Sequence, residues 1–211
     1  MRKIILLFFV VAIALFNNAL SLAENPKNYL KGKFYSSVKN HFLIATEKMN
    51  DDRFSQTVII MFESSENGAW GLTINKQLGT IPIALLIDPS LNTSKEREEL
   101  FKINVPIFWG GPVETKEIYI LHSNEYKSES TKKYGDISIS QDYKVLFDIA
   151  KSKGPKKSLI ILGYSGWGEG QLEGEIERDH WILSDIDLDI TFDNDSKKKW
   201  NRAIKNSYIN L

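Results

Sequence analysis

The chain has 211 residues, of which 42% are hydrophobic and 26% are charged, and its 27 basic residues balance its 27 acidic residues. This length and composition predict one ordinary globular domain and exclude disorder over the whole chain. A neutral protein has no overall electrostatic attraction to nucleic acid. The absence of cysteine excludes disulfides, thiolate metal ligands and a cysteine nucleophile.

The first 23 residues have the three parts of a secretory signal peptide. Arg2 and Lys3 precede an apolar run from Ile4 to Phe16, and residues 21–23 (Ser-Leu-Ala) have the small-residue pattern of a cleavage site. The apolar run is shorter than the roughly 20 residues that a membrane-spanning helix needs. We therefore expect cleavage after Ala23, with an uncleaved membrane anchor as the alternative.

This assignment divides the chain into a signal peptide at residues 1–23, a linker at 24–33 and a folded domain at 34–206. The mature protein is then expected in the periplasm of a two-membrane bacterium, or outside the cell of any other. The membrane becomes a partner only if the N-terminal segment stays uncleaved. A cytoplasmic location is the remaining alternative.

Runs of apolar and β-branched residues predict the strands of the domain. Asn67-Gly68 between two such runs is typical of a hairpin turn, and Gly110-Gly111-Pro112 marks a corner between two more. The predicted strands are 41–45, 58–62, 70–74, the two strands that flank Gly110 with the second ending at His122, 158–162, and 186–192, in which Asp187 and Asp189 alternate with apolar residues.

Capping signals and helical spacing predict the helices. Thr93 and Glu96 have the spacing of a capping box, and Ser140 is placed to cap the helix that follows it. A turn capped by Asp51 or Asp52 and a mobile surface loop at 124–136 complete the assignment. The predicted helices are 80–87, 94–102, a segment with Tyr143, Leu146, Phe147 and Ala150 on its apolar face, 172–181, and 196–204.

Strands that arrive both in hairpins and singly between helices predict an α+β fold with a mixed sheet in a single domain. Five segments in this order resemble the AlgH/YqgE family of bacterial proteins: FLIATEKMNDDRF, ENGAWGLTIN, WGGPVETKEIYILH, LGYSGWGEGQLEGEI and a closing tryptophan, Trp200. Together they span about residues 32–204. The resemblance implies a curved mixed β-sheet, partly closed into a barrel and flanked by helices.

The resemblance implies little about activity, because the family is essentially uncharacterised and is associated only weakly with transcriptional regulation. The chain also departs from the family pattern. Glu47 and Gln77 stand where prolines are usual, and Ser64-Ser65 stands where His-Asn is common. Members usually lack an export signal, so the one in this chain argues against a cytoplasmic role.

A glycine-rich stretch, LIILGYSGWGEGQLEGEIERDHW at residues 159–181, is the main candidate for chemistry. It lacks the lysine of a phosphate-binding loop, and acids at the start of the following helix would repel phosphate. Ser165 stands on a strand-to-helix turn like a nucleophile elbow, although a tryptophan takes the last position of that motif. A serine hydrolase would need a histidine base, for which His122 is the candidate among His41, His122 and His180.

The favoured interpretation of this stretch is a sharp backbone turn, with Trp167 and Trp181 packed beside it. Positive φ at Gly166 or Gly168 would then make valine there destabilising. The alternative is a recognition groove that Trp167 and Gln171 would line.

Two other patterns have simpler explanations than a site. Asp185, Asp187 and Asp189 would share one face of a strand, but side chains about 7 Å apart do not converge on one ion. The segment KKKWNRAIK at 197–205 has five bases, but ten acids between residues 169 and 195 balance them. We therefore expect no metal, no cofactor and no nucleic acid.

The sequence thus predicts an exported, non-enzymatic domain that binds an unknown protein or small ligand. The alternatives are a serine hydrolase centred on Ser165 and, by family resemblance, a transcriptional regulator.

Signal-peptide cleavage gives the first testable prediction. Protein purified from fractionated cells should begin at Glu24 and should be found outside the cytoplasm, which N-terminal sequencing of each fraction measures. A chain that begins at Met1 in the soluble cytoplasmic fraction would contradict both export and membrane tethering.

Overall fold

The computed structural model of the chain describes residues 28–30, 33–35, 37–91 and 93–209. Backbone contacts divide the chain into one unit up to Ser36 and a second unit from Ser37 onward. In the first unit, β1 (Asn28–Leu30) and β2 (Lys33–Tyr35) pair as antiparallel strands. β1 lies within the predicted linker, and β2 begins at its last residue. The predicted signal peptide lies outside the described residues. None of the helices that the structure describes has the length and apolar character to cross a bilayer.

The second unit is built around one ten-stranded mixed sheet. Its strands are β3 (His41–Ala45), β4 (Val58–Ser65), β5 (Gly68–Thr73), β6 (Gln77–Pro82), β7 (Asn104–Trp109), β8 (Val113–Ser123), β9 (Lys132–Tyr134), β10 (Ile137–Ser140), β11 (Ser158–Trp167) and β12 (Trp181–Asp185). The main path runs β12-β3-β4-β5-β11-β8-β10-β9, and β7 and β6 branch from β11. Among the described strand pairs, only the pairing of β7 with β11 is parallel.

Five α-helices and two short 3₁₀ helices are described in this unit. They are α1 (Ser94–Phe101), α2 (Tyr143–Ala150), α3 (Gln171–Glu177), α4 (Leu188–Thr191) and α5 (Ser196–Ile209), with the 3₁₀ helices at Ile83–Leu86 and Pro89–Leu91. The first 3₁₀ helix, α1 and α2 cover one face of the sheet. They bury an aliphatic cluster there that includes Ile83, Leu100, Ile120, Val145, Leu146 and Ile160.

β11 joins the part of the sheet that contains β7 and β8 to the part that contains β5. Residues 160–162 lie between parallel β7 and antiparallel β8, whereas residues 165–167 pair with β5. The change of partner occurs at Gly163, where the pairing register with β8 shifts and φ is +70°. Because glycine adopts positive φ at no steric cost, it permits this bend inside a strand.

The corner between β7 and β8 fits into the gap that this bend leaves. A Cβ atom on Gly110 would lie 2.1 Å from the carbonyl oxygen of Gly163, and one on Gly111 would lie 2.1 Å from the carbonyl carbon of Tyr164. The Gly110 N–H donates to the Leu162 carbonyl at 2.8 Å, and the Gly110 carbonyl accepts from the Thr73 N–H at 3.1 Å. Two main chains therefore approach here at a distance that only glycine allows.

The sheet curls strongly toward closure. The ring of Phe62 on β4 lies 4.9 Å from the ring of Tyr134 on β9, although four strands separate β4 from β9 in the sheet. A flat sheet would keep these strands far apart, since neighbouring strands are about 4.8 Å from each other. The predicted α+β fold, with a curved mixed sheet partly closed into a barrel and flanked by helices, is confirmed.

Several local predictions are confirmed. Thr93 and Glu96 form the capping box of α1 with both reciprocal hydrogen bonds. The structure also contains four other predicted elements: the hairpin at Asn67-Gly68, the strand at 41–45, the strand that reaches His122 and the C-terminal helix. Asp51 accepts a hydrogen bond from the Arg53 N–H, as a capping residue of a turn does.

Other local predictions are wrong, because pairing or capping outweighs the apolar pattern. Residues 80–82 belong to strand β6, which pairs with β7, and only 83–86 are helical. The predicted strand at 186–192 is instead the short helix α4, because the Asp187 carboxylate accepts the N–H groups of Asp189 and Ile190. The predicted helix at 172–181 ends at Glu177, and Trp181 begins β12.

The region before α2 also differs from its prediction. Ser140 lies in β10, and Asp142 caps α2 by accepting the Val145 N–H. The segment predicted as a mobile loop at 124–136 contains β9 and is held by side-chain hydrogen bonds. One of these joins Ser128 to Asp142, and another joins Asn124 to the Gly135 carbonyl.

The close approach at the β7–β8 corner gives the second testable prediction. Gly111→Ala should lower the free energy of unfolding by about 3 kcal/mol or more, because the new methyl group overlaps main-chain atoms of Tyr164 that cannot move aside. Urea denaturation followed by circular dichroism measures this change. The control is Gly79→Ala, where a Cβ atom meets nothing within 4 Å, so its effect should stay within about 0.5 kcal/mol. Equal stability of the two variants would contradict the packing argument.

Candidate functional site: an aromatic cleft

Aromatic rings from separate strands meet where the β4–β5 hairpin, β8 and the second half of β11 come together. The ring of Trp70 lies 6.0 Å from those of both Tyr119 and Tyr164, and these two tyrosines lie 6.2 Å apart. Phe62 packs behind Trp70 at 5.1 Å and touches Tyr134. The rings form one continuous wall because the curl of the sheet brings β9 over β4.

This wall borders an open cleft of about 610 Å³, which we call the aromatic cleft. Its aromatic lining residues are Trp70, Tyr119, Tyr134, Tyr164 and Trp167. A cavity of several hundred Å³ with apolar walls and a few polar groups is typical of a binding site. The charged groups that line it are the carboxylates of Glu63 and Glu114 and the amine of Lys132, so acids exceed bases.

The environment of the cleft disfavours ionisation of Tyr119 and Tyr134. Burial, reinforced by the carboxylate of Glu114, raises the pKa of Tyr119 to about 12. Burial and the charge of Glu63 also raise the pKa of Tyr134 above its ordinary value. The Trp70 indole N–H donates to a Glu63 carboxylate oxygen at 3.1 Å, which orients that carboxylate at the cleft. The cleft therefore combines flat apolar surface with excess negative charge.

Ser165, the candidate nucleophile, lies in the interior of the fold. Its side chain is 0% exposed, and its hydroxyl donates to the Gly110 carbonyl at 2.9 Å. The candidate base His122 pairs across the sheet with Ser158, at the opposite end of β11. The structure does not bring these two residues together, and in the described part of the chain no hydrogen bond joins Ser165 to a histidine.

His122 has a different partner, Ser140. Because a carbonyl can only accept, the 2.9 Å contact of Nδ1 with the Ser123 carbonyl places the ring proton on Nδ1. Nε2 then accepts the hydroxyl proton of Ser140 at 2.9 Å. Burial lowers the pKa of His122, which keeps the ring neutral. Both side chains are buried, so this pair stabilises the strands and offers no accessible nucleophile.

Trp167 and Gln171, the candidate binding residues, are held by the same carboxylate. Glu175 on α3 accepts the indole N–H of Trp167 at 2.9 Å and that of Trp181 at 2.7 Å. The Gln171 amide donates to the other carboxylate oxygen at 3.1 Å. Trp167 is buried but contributes to the wall of the aromatic cleft, whereas Gln171 does not line it.

The glycine-rich stretch is a backbone corner, but the residues with positive φ differ from those expected. Gly166 and Gly168 do not have positive φ, whereas Gly163 and Gly170 have φ of +70° and +67°. Gly163 marks the bend inside β11, and Gly170 is the residue from which α3 starts. The expected strain of valine therefore applies to Gly163 and Gly170.

The acidic and basic patterns are also accounted for by local contacts. Asp187 caps α4, and the described residues contain no group of three or more histidines and acids placed to hold a metal ion. In the basic tail, Lys198 pairs with Asp195 and Arg202 pairs with Asp193. These ion pairs balance two of the five bases of the tail.

Lys199 of the same tail is a structural residue. Its side chain is 0% exposed, and its amine donates to the carbonyls of Ile74 at 3.0 Å and Thr191 at 2.7 Å. It also lies 5.5 Å from the centre of the Phe108 ring. Burial lowers the pKa of Lys199 to about 8, and these contacts lock α5 against the sheet.

Sequence reasoning missed most of the cleft. Trp70, Tyr119, Tyr134 and Tyr164 lie on four different strands, so no local spacing connects them. Trp70 and Tyr119 lie in segments predicted as strands, whereas Tyr134 lies in the segment predicted as a surface loop and Tyr164 lies in the glycine-rich stretch. Trp167 alone was recognised as a candidate, because it stands beside the glycine-rich corner.

Comparison with known proteins identifies relatives over most of the chain. A family model described as AlgH-like matches residues 42–211. A UPF0301 protein of Pseudomonas putida is 39% identical over 178 residues, covering 83% of this chain and 92% of the relative. The UPF0301 protein AlgH of Pseudomonas aeruginosa is 37% identical over 182 residues, covering 82% of this chain and 90% of the relative.

Two solved structures are similar as well. The solution structure of AlgH from Pseudomonas aeruginosa superposes with a TM-score of 0.67 at 35% identity, covering 84% of this chain and 92% of that one. A crystal structure of a Corynebacterium diphtheriae protein has a TM-score of 0.61 at 14% identity, covering 87% and 93%, which shows a shared fold. None of these proteins is named for a molecular activity, so the comparisons do not favour a transcriptional regulator.

The carboxylate of Glu175 gives the third testable prediction. Glu175→Ala should lower the free energy of unfolding by about 2–4 kcal/mol, because it leaves two buried indole N–H groups without an acceptor. Thermal and urea denaturation measure the loss. Glu177→Ala, an exposed position on the same helix, is the matched control and should change stability by less than about 0.5 kcal/mol. Similar values for the two variants would show that the indole contacts contribute little.

Proposed function

The chain belongs to the AlgH-like family, and we propose that it is a non-enzymatic binding protein whose aromatic cleft receives an extended peptide segment of a partner protein. The segment would carry an aromatic or large apolar side chain next to lysine or arginine. The observation that carries this proposal is the aromatic cleft itself, in which a wall of rings lies beside the carboxylates of Glu63 and Glu114.

The chemistry of the cleft supports this class of ligand. Flat rings of tryptophan and tyrosine present a large contact area at a small cost in side-chain entropy. An apolar side chain placed against Trp70 and Tyr164 would lose water from both surfaces. A neighbouring lysine or arginine of the peptide would then lie close to Glu63 or Glu114. The two negative charges of these glutamates outnumber the one positive charge of Lys132. Opposite charges on the two partners favour correct encounter as well as affinity.

The backbone at the edge of the cleft supports an extended ligand. In the described part of the chain, β9 pairs only with β10, so its other edge has no strand partner there. Lys132 and Tyr134 of this strand both line the cleft. A peptide that adds to a sheet edge gains main-chain hydrogen bonds, while side-chain pockets supply its specificity.

Nothing in the geometry favours catalysis at Ser165, whose hydroxyl is buried and bound to a carbonyl. We further propose that binding takes place after export, in the periplasm or outside the cell, because residues 1–23 have the pattern of a cleaved signal peptide. A membrane-tethered form would present the same cleft on the outer face of the membrane.

Peptide binding gives the fourth testable prediction. Isothermal titration calorimetry with acetyl-Ser-Lys-Phe-Lys-Ser-amide should show binding, whereas acetyl-Ser-Glu-Phe-Glu-Ser-amide should bind at least about tenfold more weakly because the cleft repels its acids. Glu114→Gln should weaken the basic peptide about fivefold. Trp70→Leu should remove binding, because it takes away the central ring of the wall.

The matched control is Glu98→Gln, an exposed carboxylate on α1 that does not line the cleft, and it should leave the affinity unchanged. Circular dichroism would first verify that each variant is folded. Equal affinity for the two peptides, equal effects of the two glutamate variants, or no binding at millimolar peptide would each refute the proposal.

A further inference from the structure

A second cavity, of about 670 Å³, lies between the chain after β5, the start of β6 and the start of α5. It shares no lining residue with the aromatic cleft. Its charged lining residues are Arg53, Lys76 and Lys197, and no acid is among the described residues that line it. We call it the basic cavity.

Two of these three bases have no carboxylate partner in the described part of the chain. The Lys76 amine donates to the Ser55 carbonyl at 2.6 Å, and burial lowers its pKa, which shows that it has lost part of its hydration. Lys197 is exposed and makes no ion pair among the described residues. Arg53 is paired with the Asp51 carboxylate at 2.6 Å, so its charge is largely balanced.

The acids just before α5 do not neutralise the cavity, because each already has its own base. Asp195 pairs with Lys198 at 3.0 Å, and Asp193 pairs with Arg202. The three lining bases less the one carboxylate of Asp51 leave an excess of 3 − 1 = 2 positive charges. An anion in the cavity would therefore lie near positive charge that no described carboxylate balances.

One wall of the basic cavity is flat, apolar and supported from behind. The indole of Trp109 lines the cavity and packs on the ring of Phe54 at 5.3 Å, and Phe54 packs in turn on Trp181 at 5.8 Å. These tilted and edge-to-face contacts support the Trp109 ring. Leu78 extends the apolar surface with a side chain that is 57% exposed.

We propose that the basic cavity binds a small organic anion, in which a phosphate or carboxylate group is attached to a flat aromatic or apolar body. The anionic group would contact Lys76 and Lys197, and the body would lie against Trp109 and Leu78. The volume suits a molecule of this size. The ligand class is opposite in charge to that of the aromatic cleft, so the two sites recognise different molecules.

The test is calorimetric titration of the purified protein with phenyl phosphate, benzoate and benzyl alcohol at low ionic strength. Phenyl phosphate and benzoate distinguish the two anionic groups, and benzyl alcohol retains the ring without the charge. We expect phenyl phosphate to bind most tightly, benzoate more weakly and benzyl alcohol not measurably. The affinity for phenyl phosphate should fall as salt increases, because ions screen the two lysines.

Two exposed lysines of α5 supply a matched pair of variants. Lys197→Gln should weaken phenyl phosphate binding about fivefold, whereas Lys205→Gln, on the same helix but outside the cavity lining, should change it less than about twofold. Lys76→Gln keeps a donor for the Ser55 carbonyl and should resemble Lys197→Gln. Trp109→Leu should weaken phenyl phosphate binding through loss of the ring contact.

Three results would overturn this inference: no heat with phenyl phosphate at millimolar concentration, benzyl alcohol binding as tightly as phenyl phosphate, or equal affinities of Lys197→Gln and Lys205→Gln. Glu114→Gln, in the aromatic cleft, should leave phenyl phosphate binding unchanged. The two sites can therefore fail or succeed independently.

Discussion

The main-chain contact between Gly110-Gly111 and residues 163–165 is the constraint on which the rest of the structure depends. At this point β11 leaves its pairing with β7 and begins its pairing with β5. The exposed backbone groups at such a break must find partners inside the protein. The Gly110 carbonyl meets this need by accepting from Thr73 on β5 and from the Ser165 hydroxyl on β11.

This contact also explains why Ser165 is not available for chemistry and why the cleft exists. The Ser165 hydroxyl donates to the Gly110 carbonyl. This hydrogen bond helps to join the part of the sheet that contains β7 to the part that contains β5. Beyond the bend, β11 runs alongside β5, and the ring of Tyr164 lies 6.0 Å from that of Trp70. The same few residues therefore set the curl of the sheet and assemble the aromatic wall from strands distant in sequence.

The balance of charge in the whole chain conceals two surfaces of opposite sign. The charged residues that line the aromatic cleft include more acids than bases. The described charged residues that line the basic cavity are all bases. The charged groups of Glu175 and Lys199 have structural roles instead. Glu175 accepts two indole N–H groups, and the amine of Lys199 donates to two carbonyls. Such contacts offset the cost of removing these groups from water.

Local patterns in the sequence predicted a helix or a hairpin correctly where one local interaction determined that element. The capping box at Thr93 and Glu96 formed as predicted, as did the Asn67-Gly68 hairpin. The same patterns failed at Asp187, where the carboxylate could alternate in a strand or cap a helix. They also failed at residues 80–82, where pairing with β7 outweighed helical spacing.

The sequence by itself determined the α+β class, the family and the presence of a glycine corner near Ser165. Only the tertiary structure decided which glycines bend the chain, which partner His122 has and which residues line the two cavities. The physical reason is that these features depend on side chains and main chains brought together from distant parts of the sequence. Trp70 and Tyr119 become neighbours only when the sheet curls, and Lys76 and Lys197 only when α5 packs on it.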